Sequence, residues 1–452
     1  MKAIILAGGL GTRLRPLTYT IPKPLLPVAN RAIIDHIIER LSVAGINGVV
    51  ITTNYLYEQI DNHLENSDYS IPVEVVKERR ALGTAGSVRN VKKKIDGDFL
   101  VIQGDNISSI DISQQIDAHE GMVTLSLIPV ADPESYGIVE LGAKHRVKRF
   151  IEKPRPDQCF SNLANTGTYV ISYGVLDMIP AGTYDFSLDL FPRLLSENNP
   201  ISGIVQDGYW KDVGSIKNYF ASNRYMLGGM LSGGVSDKGF ISRNAKLVPP
   251  YIIGRDSHIG ADVIIGPNTV IGQNCHIGRG SKITGSILFD SVYIGSQCRI
   301  DNSVIADKNK IRDNVSIDSG TIVGSGCTIE RNARISANSL IGPLIKVQAS
   351  TEISGVLSPN IEKIEKVRSI LQKIPVFKKL ERDELRICMT LVEFGELRDN
   401  VLGSLSQLPK DSVDKALTRL QQRGIIRGRE GMFSLLYEEP ERIYRHLKGR
   451  LL

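Results

Sequence analysis

Cysteine is scarce in this chain, and what there is lies scattered. The five thiols, Cys159, Cys275, Cys298, Cys327 and Cys388, are odd in number and form neither a Cys-x-x-Cys pair nor a Cys/His cluster. That argues against a disulfide framework and a structural zinc site, and suits a reducing, cytoplasmic setting. Long apolar runs are absent too. No window reaches the roughly 18–20 apolar residues of a membrane span. The apolar start Met1–Ala7 breaks at Gly8-Gly9, before it could serve as a secretory h-region. A soluble protein with no membrane partner is expected. There is no strong excess of one charge: the net +6 over 452 residues requires no polyanionic partner. With 42% apolar residues the composition is ordinary, and the length suits two or three domains.

Three zones follow one another. Residues 1–228 alternate β-rich runs (Lys2–Ala7, Gly48–Thr53, Val73–Lys77, Phe99–Gln103) with helical patterns (Ala32–Ala44, Tyr57–Leu64). Such interleaving predicts an α/β domain with a mostly parallel, Rossmann-like sheet covered on both faces. Sites in such sheets lie beyond the C-terminal strand ends, where Gly8-Gly9 and Gly104-Asp105 fall. A Gly/Ser-rich stretch, Gly228–Gly239, separates this zone from residues 240–356. There Ile-Gly pairs recur every sixth position at Ile253, Ile259, Ile265, Ile271 and Ile277, and the series resumes at Ile294 after an irregular segment. Period six matches neither a helix nor an ordinary strand, and resembles the left-handed parallel β-helix of hexapeptide-repeat proteins.

Residues 357–452 read as helical and charged. Helix candidates are Ile361–Ile374, Glu384–Leu391, Glu396–Leu405 and Asp411–Arg423, followed by a hairpin at Ile425–Arg429 and Met432–Leu436. Helices followed by a hairpin resemble a winged helix-turn-helix module. Lys415, Arg419 and Arg423 share one face of the last helix, and Arg427 and Arg429 lie in the hairpin. Nucleic acid is therefore one possible partner; a solvated helix surface has the same spacing, and Asp411 and Asp414 stand nearby.

The chemistry concentrates in Gly8-Gly9-Leu10-Gly11-Thr12-Arg13 after the first strand, and in Pro22-Lys23-Pro24. A Gly-rich turn lets backbone N–H groups approach phosphates. It is no P-loop, since no Gly-Lys-Ser/Thr follows, and no dinucleotide fingerprint, since Leu14 stands where glycine would be needed. Two cations on a proline-stiffened loop suit a triphosphate. The whole run GGLGTRLRPLTYTIPKPLLPVANRAII resembles the signature of the sugar-1-phosphate nucleotidylyltransferases.

That resemblance implies roles for further residues. Gly8, Gly9, Gly11 and Thr12 would wrap the triphosphate, with Arg13 and Lys23 stabilising its α- and β-phosphates. Leu82, Gly83 and Thr84, in the segment Leu82–Gly86, would seat the nucleobase, and the form LGTAG is nearest to guanylyltransferases acting on mannose 1-phosphate. Asp105 and Asp212, the latter in Trp210-Lys211-Asp212-Val213-Gly214, would hold Mg²⁺, which accepts one or two protein carboxylates. Trp210, the lone tryptophan, is read as packing. Gly137, Glu152, Lys153, Asn165 and Thr166 match the sugar-phosphate segments, although Thr166 stands where the family commonly has alanine.

The implied substrates are an NTP and a sugar 1-phosphate, either GTP with mannose 1-phosphate or UTP/dTTP with glucose 1-phosphate. The competing class is a non-catalytic sugar-nucleotide sensor joined to the winged helix. The β-helix is expected to mediate homo-oligomer contacts or regulation. Scaffolding and acyl transfer through His258 or His276, its two histidines, are the alternatives.

Overall fold

The computed structural model describes residues 1–229, 234–235 and 239–357, together with a set of positions between 384 and 435. The chain divides into two compact units, Met1–Ser232 and Gly233–Leu452.

The first unit is built on a nine-stranded mixed sheet. Lys2–Leu6 (β1), Val49–Thr53 (β2), Val73–Lys77 (β3) and Phe99–Gln103 (β4) form its parallel half, with β1 between β2 and β4 and β3 outside β2. β1 and β4 are near-continuous apolar runs whose residues are buried on either side of the strand. Helix α1 (Ile33–Val43) buries Ile33, Ile34, Ile37, Ile38 and Leu41, the stripe expected from a 3.6-residue period. Each such side chain contributes roughly 1.5–3 kcal/mol. Two further helices, Tyr57–Glu65 (α2) and Gly83–Asn90 (α3), follow β2 and β3.

After β4 the short strand Asn106–Ser108 (β5) leaves the sheet. The second half then forms from Val123–Pro129 (β6), Gly137–Leu141 (β7), Val147–Glu152 (β8), Leu163–Ile171 (β9) and Ile201–Val205 (β10). Here the pairing is antiparallel around β9, which touches β4, β6 and β7; only β10 runs parallel to β6. The register of β9 against β6 breaks between Asn165 and Tyr169. That bulge re-aims the chain next to the site, a common use of bulges.

In the second unit, two- and three-residue strands stack into three parallel sheets of eight, seven and seven strands. Partners lie eighteen residues apart, as in Ile259 beside Ile277 and Ile265 beside Ile283. Three hexapeptides therefore make one rung. The spacing falls to seventeen where Ile271 meets Leu288 and Leu288 meets Ile305, then returns to eighteen where Ile305 meets Val323. The irregular stretch of the repeat is thus a pair of rungs that are each one residue short.

The repeat glycines are needed for clearance between rungs. A Cβ on Gly278 would stand 2.5 Å from the carbonyl carbon of Gly295. The left-handed corner falls two residues later, on Asp256, Asp262, Asn274 and Gln297 after Gly254, Gly260, Gly272 and Gly295. Short polar side chains tolerate that conformation. The first strand is Gly234–Val235, paired with Ile252–Ile253, so rung structure begins ahead of the expected residue 240.

Near the C-terminus, helix Lys410–Gln422 buries Val413, Ala416, Leu417 and Leu420 and exposes Lys415, Arg419, Asp411 and Asp414. The hairpin forms from Ile426–Arg429 and Met432–Leu435. The helix expected over Glu396–Leu405 is overturned at its start: Leu397–Arg398 is a strand paired with Met432–Phe433. A two-stranded hairpin is marginal alone, and the third strand pairs its open edge. Glu384, Ile387, Cys388 and Leu391 are helical and buried at one-face spacing. The candidate helix Ile361–Ile374 and the side chains of Arg423 and Arg429 lie outside the described residues. Among the described residues, no helix is long and apolar enough to cross a membrane.

Candidate active site

Adjacent parallel strands deliver the two glycine-bearing loops to one place. β1 runs into Ala7–Arg13 and β4 into Gly104-Asp105, with Leu6 beside Gln103 and the Gly104 N–H donating to the Leu6 carbonyl at 2.9 Å. Between them opens a cavity of about 240 Å³, lined among others by Gly9, Gly11, Thr12, Arg13, Lys23 and Asp105. Six residues assigned from separate stretches of sequence thus share one wall. Gly8 stands beside Glu78.

The two carboxylates are joined by a two-stranded ribbon. β5 pairs antiparallel with Trp210–Asp212 (β11), placing Asp212 opposite Asn106, and the Val213 N–H donates to the Asp105 carbonyl at 2.8 Å. Trp210 fastens the ribbon: its ring is buried edge-on to Tyr136 at 5.1 Å, and its Nε1–H donates to the Thr166 carbonyl at 3.0 Å. Helix Ile216–Gly228 adds Asn218, whose Nδ2 donates to Asp212 Oδ1 at 3.0 Å. Burial, reinforced by the charge of Asp105, pushes the Asp212 carboxyl above the usual carboxylate range, with Lys23 and Arg13 opposing the shift. Lys23 Nζ is ion-paired to Asp105 Oδ2. Two hard-oxygen donors pushed together, with cations already drawn to them, suit a divalent cation whose remaining ligands are water and phosphate oxygens. No cluster of three or more potential ligands occurs among the described residues, so a closed all-protein metal cage is not what is built.

Beyond β3 the loop Leu82–Thr84 turns into α3. Gly83 takes φ +71°, and a Cβ there would lie 2.6 Å from the Tyr184 carbonyl oxygen, so only glycine fits the turn. Thr84 is engaged within the protein: its N–H and hydroxyl both donate to Asp185 Oδ1, at 3.2 and 2.9 Å. At the head of this loop, Glu78 is only 5% exposed. Its Oε1 has no hydrogen-bond partner, and its other oxygen lies 3.7 Å from where a Gly8 Cβ would be. Burial raises its pKa, partly offset by Ser87.

The residues expected to bind the sugar phosphate lie on β7, β8 and β9, with Lys153 just past the end of β8. Glu152 pairs with Gly137 across the β7–β8 ladder, and a Cβ on Gly137 would lie 2.6 Å from Glu152 Oε2. Burial lifts the Glu152 pKa; Lys153 and Ser187 oppose this, and Asp185 adds to it. Asn165 Nδ2 donates to the Tyr169 hydroxyl at 2.9 Å, and its Oδ1 accepts from the Gly167 N–H at 3.1 Å. The Thr166 hydroxyl donates to the Ser126 carbonyl at 3.0 Å from a fully buried position. Thr166 therefore shapes the bulge from behind. Sequence reading missed Glu78, Tyr169, Asp185, Ser187 and Asn218. Each is a single polar residue that stands in no motif and is brought in by contacts made in the folded unit.

Comparison with known proteins agrees with this geometry. The nucleotidyl transferase family matches residues 2–228, and the EIF2B subunit epsilon LbH domain, a left-handed β-helix, matches residues 235–335. A mannose-1-phosphate guanylyltransferase of Mycobacterium tuberculosis is 33% identical over 321 residues, covering 67% of this chain and 83% of that protein. The bifunctional protein GlmU of Methanococcus maripaludis is 33% identical over 345 residues, covering 75% and 80%. A UTP–glucose-1-phosphate uridylyltransferase of Synechocystis is 30% identical over 246 residues, covering 50% and 63%. With the family match over residues 2–228 and these relatives, the chain belongs to the nucleotidyl transferase family.

Proposed function

We propose that this protein transfers a guanylyl group from GTP to a sugar 1-phosphate, mannose 1-phosphate being the preferred acceptor, and releases pyrophosphate with the aid of Mg²⁺. Transfer of a nucleotidyl group from an NTP to a sugar 1-phosphate is the activity its relatives' names share. The choice of guanine is carried by Glu78. A buried carboxylate with a free oxygen is costly unless a ligand supplies donors. Guanine offers adjacent N–H donors on its Watson–Crick edge, its ring N–H and its exocyclic amine. Uracil and thymine offer one ring N–H flanked by carbonyls, which a carboxylate repels.

In the reaction, an oxygen of the sugar phosphate attacks the α-phosphorus while the bond to the bridging oxygen of the pyrophosphate breaks. The nucleophile is already ionised, so no general base is required. The barrier is repulsion between anions and charge gathering on the leaving group, and positioning plus electrostatics lower it. Arg13 and Lys23, on the cavity wall, take the charge of the triphosphate. Lys153 anchors the sugar phosphate, and Glu152 and Asn165 orient the sugar. Asp105 and Asp212 would hold Mg²⁺, which supplies Lewis-acid neutralisation of phosphate charge. A panel of nucleoside triphosphates and sugar 1-phosphates, read by pyrophosphate release, tests the proposal. GTP with mannose 1-phosphate should give the highest kcat/KM; preference for UTP or dTTP would overturn the base assignment, and no turnover with any pair would overturn the activity.

A further inference from the structure

Tyr136 stands just ahead of β7 and is held from three directions. Its ring is edge-on to Trp210 at 5.1 Å. Its hydroxyl accepts from Lys211 Nζ at 3.3 Å, and the same ammonium lies 5.7 Å from the ring centroid. Its carbonyl accepts from the Lys153 N–H at 3.0 Å. The end of β8 and the ribbon strand β11, which share no ladder, therefore meet on one residue.

Each of these contacts lies next to a group of the site. Lys211 directly precedes Asp212, and Tyr136 directly precedes Gly137, which faces Glu152 across the β7–β8 ladder. Asp212 stands at the phosphate cavity: a Cβ on Gly214, one of the lining residues, would collide with Asp212 Oδ2 and lie 3.1 Å from Arg13 Nη2. Lys153 takes φ +47°, in the left-handed region, where a residue with a Cβ stays only when its surroundings hold it. The bond from its N–H to Tyr136 is one such hold. Among the described residues Lys211 forms no ion pair, and its ammonium donates to the phenol instead. A half-buried ammonium turned to a neutral hydroxyl places a side chain rather than neutralising a charge.

We infer that Tyr136 and Lys211 form a clasp that fixes Asp212 and Lys153 relative to each other. It thereby sets the anchor of the sugar phosphate against the carboxylates of the phosphate cavity. Both are positioning residues: Lys211 acts through Tyr136, and Tyr136 acts through Trp210 and Lys153. The inference rests on the nucleotidyl-transfer reading, in which Lys153 anchors the nucleophile. In-line attack tolerates little displacement, so a shift of about 1 Å at Lys153 is enough to slow transfer.

The expected pattern is selective. Tyr136→Phe keeps the ring against Trp210 and removes only the hydroxyl, and Lys211→Met keeps an unbranched stem and removes the ammonium. Each should lower kcat/KM for the sugar 1-phosphate about tenfold, the scale for losing a hydrogen bond to a charged group. The NTP KM should stay within twofold, because the phosphate cavity keeps its lining. Both changes delete the same hydrogen bond, so the double variant should be no worse than either alone. Lys211→Arg, which keeps a charged donor, should restore most of the loss.

Steady-state kinetics of the full chain, with each member of the best substrate pair varied in turn, measures this, together with a melting curve for each variant. Hydrogen–deuterium exchange of the peptide containing Lys153 adds a readout that needs no turnover; it should be faster in both single variants. If the wild type turns over and the single variants keep their sugar-phosphate kcat/KM within twofold, the clasp is refuted. A double variant whose loss is the product of the two single losses also refutes it, since the residues then act independently. Equal losses for both substrates, with a lower melting point and no rescue by arginine, make the residues merely structural and overturn the inference. If the wild type shows no turnover, the nucleotidyl-transfer reading is what fails, and unchanged exchange at Lys153 would then sink the clasp on its own.

Discussion

Lys23 and Asp105 meet in an ion pair on the wall of the phosphate cavity. In the proposed reaction Lys23 serves the triphosphate and Asp105 the divalent cation, so each has a partner other than its ion-pair mate. Asp105→Asn and Lys23→Ala should each lower kcat by at least ~10²-fold, the scale for removing a charge-stabilising group. Chelating divalent ions in the wild type should mimic the first, and near-normal turnover in either variant would refute its role. Glu78 calls for a different test. Its pKa is raised in the folded chain, so the folded state holds its proton more tightly than the unfolded one. The associated stability is therefore complete below the ordinary carboxylate value and is lost as pH rises through the folded value. Glu78→Gln, always neutral, should melt above wild type near pH 8, and the gap should close toward pH 4. It should also lose much of the preference for GTP over UTP. A higher melting point with selectivity intact would leave Glu78 a strained residue without a part in recognition.

Among the elements, legibility follows how local the information is. The Gly-rich side of the cavity could be read because strand, turn and cations are contiguous from Lys2 to Lys23, so one stretch of sequence holds most of that lining. The hexapeptide ladder was equally plain, since each rung repeats the same inward column, and Ile259, Ile277, Ile294 and Ile311 are all fully buried. Asp185 was invisible: it acquires meaning only when α3 has come up beside it and Thr84 donates to its carboxylate. The same holds for Leu397–Arg398, where a helical pattern yielded to the need of a hairpin for a third strand. The two short rungs were visible only as an irregularity, because a missing residue is legible as a shift in register and not as a motif. The rung interior also makes its own prediction. Ile300 is fully buried in the column between Ile283 and Ile317. Ile300→Ala should cost about 2–5 kcal/mol, seen as a lower denaturation midpoint for the second unit. Since every assigned site residue lies within Met1–Ser232, kcat/KM should be unchanged; a fall in kcat/KM without unfolding would show that the β-helix tunes the chemistry.

Across the whole molecule, charge and chemistry are segregated. Residues 361–452 hold 19 Lys/Arg against 14 Asp/Glu, most of the chain's net +6, while Arg13, Lys23 and Lys153, the cations proposed to handle phosphate, all lie in the first unit. The basic residues of helix Lys410–Gln422 belong to the other unit. Whether they contact nucleic acid turns on what shares their surface. Lys415 and Arg419 are exposed, but so are Asp411 and Asp414 on the same helix, and mixed charge of this kind weakens a phosphate-facing surface. Binding driven by a few cations is salt-sensitive, because its free energy comes from counterion release. The full chain should therefore retain duplex DNA only at low ionic strength and release it by about 0.15 M salt. The double variant Lys415→Glu, Arg419→Glu should keep wild-type pyrophosphate release. DNA retention at physiological salt that this variant abolishes would assign the C-terminal module a nucleic-acid partner. It would then join a sugar-nucleotide enzyme to a DNA-reading module in one chain.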